Sequence, residues 1–301
     1  MIDQVRLNFN PQATLALNVI LSLIMLGIAL DLKVSDFKVA FKTPKALFLG
    51  LFGHHILFPA MTFLLILATK PAPSIALGML LVSACPAGHI SNLFAARANG
   101  NVALAVSISI LSKIFAIFMM PLNVIFWGNQ EAGMRALLKD FSLDPVRMMV
   151  EVALLLGVPL ALGLYIAHRY PAFAKRAYKP MRVFSLLALV GFIVGGLAAN
   201  WAIFKEYGQF VVGVVALHNA CALALGYFMA FAVGLPEADR RAVSFETGIQ
   251  NSSLGLVLIF TFFGGLGGMA IVTAWWGIWH IIAGMALSTY WMKRPILLST
   301  T

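Results

Sequence analysis

Two short polar stretches decide the fold: CPAGHISN at residues 85–92 and FETGIQNSS at residues 245–253. Each lies inside an apolar run that is long enough to cross a membrane. Proline removes a backbone donor and glycine loosens a helix, so both runs are predicted to be broken helices. Irregular backbone inside a bilayer is tolerated only where it is buried in protein or lines a cavity. The simpler alternative for residues 85–92 is a proline kink, but the polar residues that follow Pro86 favour a break.

The composition is that of a membrane protein. Of the 301 residues, 61% are hydrophobic and 11% are charged, whereas soluble domains carry about 25% charged residues. This excludes a soluble enzyme, a disordered chain and a disulfide-framed secreted domain. The net charge of +10 reflects Lys and Arg in short loops and does not indicate nucleic-acid binding. Cys85 and Cys221 lie in apolar stretches and are interpreted as buried thiols.

Nine segments are apolar and long enough to be membrane spans. They cover residues 13–32, 46–69, 73–97, 101–127, 145–168, 181–204, 208–234, 241–264 and 269–292. Most Lys and Arg residues then fall on one side if the N-terminus is outside and the C-terminus is cytoplasmic, which predicts that orientation in a bacterial inner membrane. The first segment is expected to be a retained span. Residues 131–140 are predicted to form a short amphipathic helix at the membrane interface.

The two polar stretches also resemble each other. Gly88-x-x-Ser91-Asn92 parallels Gly248-x-Gln250-Asn251-Ser252, and the preceding spans carry His54-His55 and His218-Asn219 at a similar separation. The second copy comes five spans after the first, an odd offset that inverts its orientation. We therefore predict an all-α polytopic membrane protein with an inverted repeat and two crossing discontinuous helices. The first repeat would be residues 1–128, the connector 129–144 and the second repeat 145–301, as in secondary transporters.

These residues resemble the bile acid–sodium symporter family in its nine-span form, which lacks the first helix. The resemblance is carried by both polar stretches, by GNVAL at residues 100–104 and by His218-Asn219 with Gly226-Tyr227. It implies a core domain of spans 2–4 and 7–9 that contains the crossing helices, and a panel domain of spans 1, 5 and 6. It also implies secondary active transport of a small organic anion, bile-acid-like or a small carboxylate, coupled to sodium by alternating access.

The resemblance further implies two sodium sites. The first site would use Ser91, Asn92, Glu246 and the residues at positions 105 and 109, which are Ala105 and Ser109 here. The second site would use Glu246, Gln250, the backbone carbonyls of Thr247 and Ile249, and the residue at position 54, which is His54 here. Two positions depart from the family. Ala105 stands where the family has a hydroxyl, and His54 stands where it has Gln.

Lys113 is a third departure. It lies on the same helix face as Ser109 and Ala105, at intervals of four and eight residues. A buried ammonium needs an anionic partner, and Glu246 is the expected one. We hypothesise that Lys113 substitutes for a sodium ion; the alternative is that it snorkels to an interface or faces water. The same fold would then be sodium-independent, or proton-coupled through His54 or His89.

The predicted substrate-binding residues are polar side chains near the two breaks: His89, Asn92, Asn219, Asn251 and His280. An organic anion is expected because two helix N-termini converge there and few acids line the cavity. Ile281 stands where the family often has Asn, which favours substrates other than bile acids. A channel or sensor is the alternative from another class.

No cofactor, no metal beyond sodium and no obligate protein partner is predicted. The expected partners are the substrate and the lipid bilayer. The sequence lacks a His-Glu-x-x-His run and a convincing serine nucleophile, so an intramembrane enzyme is not favoured.

Overall fold

The computed structural model describes residues 2–7, 11–30, 44–88, 90–199, 201–294 and 296. A 3-10 turn at Ile2–Gln4 precedes the helices. The helices of the described residues are α1 (Pro11–Ala29), α2 (Pro44–Thr69), α3 (Pro73–Ala84), α4 (Ser91–Arg97), α5 (Val102–Gly128), α6 (Ala132–Asp140), α7 (Pro145–Arg169), α8 (Pro171–Ala199), α9 (Trp201–Ala232), α10 (Glu237–Gly248), α11 (Ser252–Phe262) and α12 (Gly267–Met292). Within these ranges there is no strand, only two isolated bridges.

Five of the described helices contain segments long and apolar enough to cross a membrane. These segments are Pro44–Thr69, Val102–Gly128, Pro145–Arg169, Val211–Ala232 and Gly267–Met292. Shorter apolar helices cover Asn18–Ala29, Pro73–Ala84 and Ser252–Phe262. The predicted fold class is confirmed: the chain is an all-α, multi-pass membrane protein. The inverted relation of its two halves stays a prediction.

The helix α8 begins before the sixth predicted span. The span is predicted at residues 181–204, whereas α8 begins at Pro171, runs through the basic segment and has Pro180 inside it. Lys and Arg have high helix propensity, so the helix extends beyond the apolar part that hydropathy detects. The seventh predicted span, residues 208–234, lies largely within α9, which begins at Trp201 and contains the apolar segment Val211–Ala232.

Two helices contain a widened π-helical turn, at Gly53–Leu57 in α2 and at Ala153–Gly157 in α7. Proline follows each turn by two residues, as Pro59 and Pro159. Proline has no N–H and its ring collides with the carbonyl four residues earlier, and one extra residue per turn relieves both problems. In α2 the widened turn carries two consecutive buried side chains, His54 and His55.

The two broken helices meet at their interruptions. The chain leaves α3 at Cys85 and re-enters a helix at Ser91, and it leaves α10 at Gly248 and re-enters at Ser252. The backbones of residues 86–88 and 249–251 pair in an antiparallel bridge. Gly88 N donates to the carbonyl of Ile249 at 2.8 Å, and Asn251 N donates to the carbonyl of Pro86 at 2.9 Å. We call these two segments the crossing.

Only glycine fits at position 88. A Cβ atom there would lie 2.9 Å from the carbonyl oxygen of Gln250 and 3.2 Å from its carbonyl carbon. Both are main-chain atoms, which cannot move aside as a side chain would. Gly88 therefore lets the two backbones approach closely enough to bond.

Several helices pack against α3 and α10, the two helices that end at the crossing. The segment α3 packs against α2, α5 and α12, while α10 packs against α4, α5 and α9. The first helix, α1, packs against α7 and α8 and also contacts α11. Spans 1, 5 and 6 were assigned to a panel domain and the rest to a core domain, and this division stays a prediction.

Candidate functional site

The crossing brings four helix ends together. Each paired segment follows the C-terminal end of one helix, α3 or α10, and precedes the N-terminal end of the next, α4 or α11. Carbonyl groups at helix C-termini favour cations, and amide groups at helix N-termini favour anions. The site can therefore hold charges of both signs, and its buried polar side chains are described next.

Glu246 is the acid of this site. Its side chain is fully buried in α10, and neither carboxylate oxygen has a hydrogen-bond partner among the described residues. The hydroxyl of Ser91 lies beside the carboxylate, but it donates to the carbonyl of Gly88 at 2.6 Å. A buried carboxylate without partners is costly, and such a group indicates an ion or ligand site.

Lys113 is the nearby base. Its side chain is 4% exposed, and its Nζ donates to the carbonyl of Ser109 at 2.9 Å and to the hydroxyl of Ser109 at 2.8 Å. The ammonium interacts electrostatically with Glu246, but no direct ion pair joins these two described residues. The side chain thus points back to the preceding turn of α5 and stays buried.

His54 joins the C-terminal ends of the two broken helices. Its Nδ1 lies 2.9 Å from the carbonyl oxygen of Glu246, and its Nε2 lies 2.9 Å from the carbonyl oxygen of Cys85. A carbonyl only accepts hydrogen bonds, so the ring must donate. A neutral imidazole has one N–H and satisfies one carbonyl, and a protonated ring satisfies both.

The remaining predicted cation ligands are already engaged in the crossing. Gln250 Nε2 donates to the carbonyl of Thr247 at 2.7 Å, and the carbonyl of Ile249 accepts from Gly88. Gln250 Oε1 is buried and has no hydrogen-bond partner within the described ranges. Each carbonyl keeps a second lone pair, so these bonds leave room for further ligands.

The predicted substrate residues divide into three groups. Asn251 and Asn219 lie at the crossing: Asn251 Oδ1 accepts from Leu254 N and so caps α11, and Asn219 Nδ2 donates to the carbonyl of Gly248. Asn92 is half-buried on α4, and His280 is buried on α12. His89 lies outside the described residues.

Two donors at the start of α11 are free to bind a ligand. Asn251 Nδ2 and Ser252 Oγ are buried, and neither has a hydrogen-bond partner in the part of the chain that the structure describes. Both residues are less than a tenth exposed. Unused donors at the N-terminus of a helix suit the carboxylate of an anion.

Sequence reasoning did not single out Thr273. Its hydroxyl is buried in α12, has no hydrogen-bond partner among the described residues, and belongs to a side chain that packs against Gly255 of α11. In the sequence, Thr273 is a single threonine in an apolar helix. Most such threonines donate a hydrogen bond to the backbone of their own helix, so the sequence alone does not indicate a site here. Among the described residues, no group of three His, Cys, Asp or Glu side chains could hold a metal ion.

The apolar helices define a polytopic membrane protein. Its two interrupted helices meet at a cluster of buried polar side chains. A sequence model of the Sodium Bile acid symporter family matches residues 18–206. The chain belongs to this family, which confirms the resemblance and gives the chain a transport function.

Three relatives illustrate the range of the family. The chain is 26% identical over 278 residues to "Uncharacterized sodium-dependent transporter YocS" of Bacillus subtilis, covering 92% of this chain and 83% of that protein. It is 30% identical over 276 residues to "Probable sodium/metabolite cotransporter BASS1, chloroplastic" of Oryza sativa, covering 91% of this chain and 65% of that protein. It is 26% identical over 246 residues to "Ileal sodium/bile acid cotransporter" of Mus musculus, covering 81% of this chain and 69% of that protein.

Proposed function

We propose that this chain is a secondary transporter that moves a small organic anion across a bacterial inner membrane by alternating access. The observation that carries the proposal is the pair of unused, buried donors at the start of α11, Asn251 Nδ2 and Ser252 Oγ. They lie next to the crossing, where a transporter of this kind binds its substrate. The N-terminus would be outside and the C-terminus cytoplasmic.

The charges of the site support an anionic substrate. An anion at the start of α11 gains the amide groups of the helix N-terminus and two side-chain donors. The acid of the site, Glu246, belongs to α10, the half-helix on the other side of the break, and Lys113 interacts with it. The ammonium of Lys113 therefore offsets the negative charge of Glu246, which would otherwise repel a bound anion.

A small carboxylate fits the chain better than a bile acid. Position 281 is Ile, where the resembled family often has Asn, so one polar contact to a large conjugated substrate is missing. The relatives are named for bile acid, for metabolites or for sodium dependence alone. All three names include sodium, but coupling in this chain depends on its own cation ligands, and uptake with and without sodium tests it.

The test is uptake of radiolabelled small carboxylates and of a conjugated sterol by liposomes that contain the purified protein. We expect saturable uptake and counterflow for at least one small carboxylate, and weaker transport of the sterol. Uptake that rises linearly with concentration and shows no counterflow would favour a channel.

The substrate site is tested by Asn251→Asp. This change keeps Oδ1, which caps α11, but replaces the free amide donor with a negative oxygen. A hydrogen bond to a charged group is worth about 1.5–3 kcal/mol, so KM should rise about 10- to 150-fold. Asn129→Asp is the matched control, because Asn129 is exposed beyond the end of α5. Equal KM values for both variants would place the substrate elsewhere.

A further inference from the structure

Two side chains of this protein change the sodium sites that the family resemblance implies, Lys113 at the first site and His54 at the second. At the first position, Lys113 Nζ bonds to both oxygens of Ser109, the carbonyl at 2.9 Å and the hydroxyl at 2.8 Å. On the same helix face, Ala105 is fully buried and offers a methyl group where the family has a hydroxyl. The first position thus has one ligand fewer than in the family and contains an ammonium group.

The distances decide whether a sodium ion could share this position. Cations bind oxygen at about 2.4 Å, and Nζ lies 2.8 Å from the hydroxyl oxygen of Ser109. An ion on that oxygen would therefore lie at most about 5 Å from Nζ. Two unit charges about 5 Å apart, at an effective dielectric constant of about 20, weaken ion binding about 300-fold.

The charge balance of the position gives the same result. Glu246 is the carboxylate that interacts with Lys113. One carboxylate balances one ammonium, so an added sodium ion would leave a net positive charge in a buried site. Such an uncompensated charge is strongly disfavoured in a low-dielectric environment.

At the second position, His54 stands where the family has a Gln, whose side-chain oxygen can bind a cation. The two ring nitrogens of His54 each lie 2.9 Å from a carbonyl oxygen, that of Glu246 and that of Cys85. Because both nitrogens face these carbonyls, the ring offers no ligand to a sodium ion at the second position.

We propose that Lys113 takes the place of the first sodium ion and that His54 removes a ligand from the second site, so that this transporter works without sodium. Lys113 is the fixed countercharge of Glu246, and His54 is the bridge between the two broken helices. The transport experiment rests on the proposed function. The effect of sodium on the stability of the purified protein does not, so it tests the inference about sodium independently.

The first experiment measures thermal unfolding in sodium chloride and in choline chloride at equal ionic strength. The wild-type protein should unfold at the same temperature in both salts. In the combined variant with Ala105→Ser, Lys113→Met and His54→Gln, sodium should raise Tm by about 2 °C or more, since a ligand that binds only the folded state stabilises it. Lys175→Met is the matched control, because Lys175 is exposed on α8.

Two results would overturn the inference. One is sodium-specific stabilisation of the wild-type protein, which needs no variant and therefore decides even if the combined variant fails to fold. The other is a folded combined variant that sodium does not stabilise, because the two side chains would then not be what excludes sodium.

The second experiment is uptake by proteoliposomes with sodium or choline on both sides or as a gradient. Equal initial rates within about twofold support the inference, and a rate that rises with the sodium gradient contradicts it. Absence of uptake of every acid in either salt would count against the proposed function, while the unfolding experiment would still decide the inference about sodium.

Discussion

Gly88→Ala is the substitution that tests the crossing most directly. The added Cβ would lie 2.9 Å from a main-chain oxygen of Gln250, so the two backbones must separate. Overpacking a dense site costs about 1–3 kcal/mol. The two hydrogen bonds between residues 86–88 and 249–251 would be strained or lost, at about 1 kcal/mol each. The expected loss of stability is about 3–5 kcal/mol, or about 5–15 °C in Tm.

The assay is thermal unfolding of the purified protein, followed by the fluorescence of its 6 tryptophans. Gly213→Ala is the control, because Gly213 is an exposed glycine of α9 with no atom within 4 Å of an added Cβ. This variant should be at least as stable as the wild type, since alanine is the better helix former. If Gly88→Ala and Gly213→Ala unfolded within about 2 °C of each other, the close backbone approach at the crossing would not depend on glycine at position 88.

Three further predictions concern other charged groups. Glu246→Gln and Lys113→Met should each lower Tm, since each leaves a buried charge without its partner at a cost of about 3–5 kcal/mol. The double variant should recover part of the lost stability. Strictly additive losses would contradict the electrostatic interaction between Glu246 and Lys113. Arg241→Ala should destabilise the protein far more than Arg97→Ala. The buried guanidinium of Arg241 donates to three main-chain carbonyls, whereas Arg97 is exposed. Similar Tm values for the two variants would refute this prediction. Asp3→Ala should cost about 1 kcal/mol of stability, since Asp3 Oδ1 accepts a hydrogen bond from an amide at the start of α3, and Asp3→Asn should restore most of it in the same unfolding assay.

The breaks in the two helices could be predicted because their causes are local. Pro86 and Gly88, followed by the polar residues Ser91 and Asn92, disfavour a continuous helix in the first stretch. In the second stretch, Gly248 followed by Gln250 and Asn251 has the same effect. The π-helical turns were not predicted. Pro59 and Pro159 signal a disturbance in their helices, but a proline alone does not show whether the helix kinks, ends or widens by one residue.

The partners of the charged side chains were less accessible to sequence reasoning. Helical spacing placed Lys113 and Ser109 on one face, but it could not show that the ammonium bonds to the preceding turn and forms no direct ion pair with Glu246. The two oxygens of Ser109 are one turn away on the same helix, so that bond needs no long-range approach. The contacts of His54 join residues 31 and 192 positions apart, and only the folded chain brings such residues together.

The crossing is built from main-chain bonds, and this has a consequence for how such proteins diversify. The pairing of residues 86–88 with 249–251 depends on backbone geometry and on one small residue, Gly88. Side chains on the neighbouring helix ends can be exchanged without breaking these backbone bonds. Evolution can therefore vary the polar groups around the joint while the joint itself is retained.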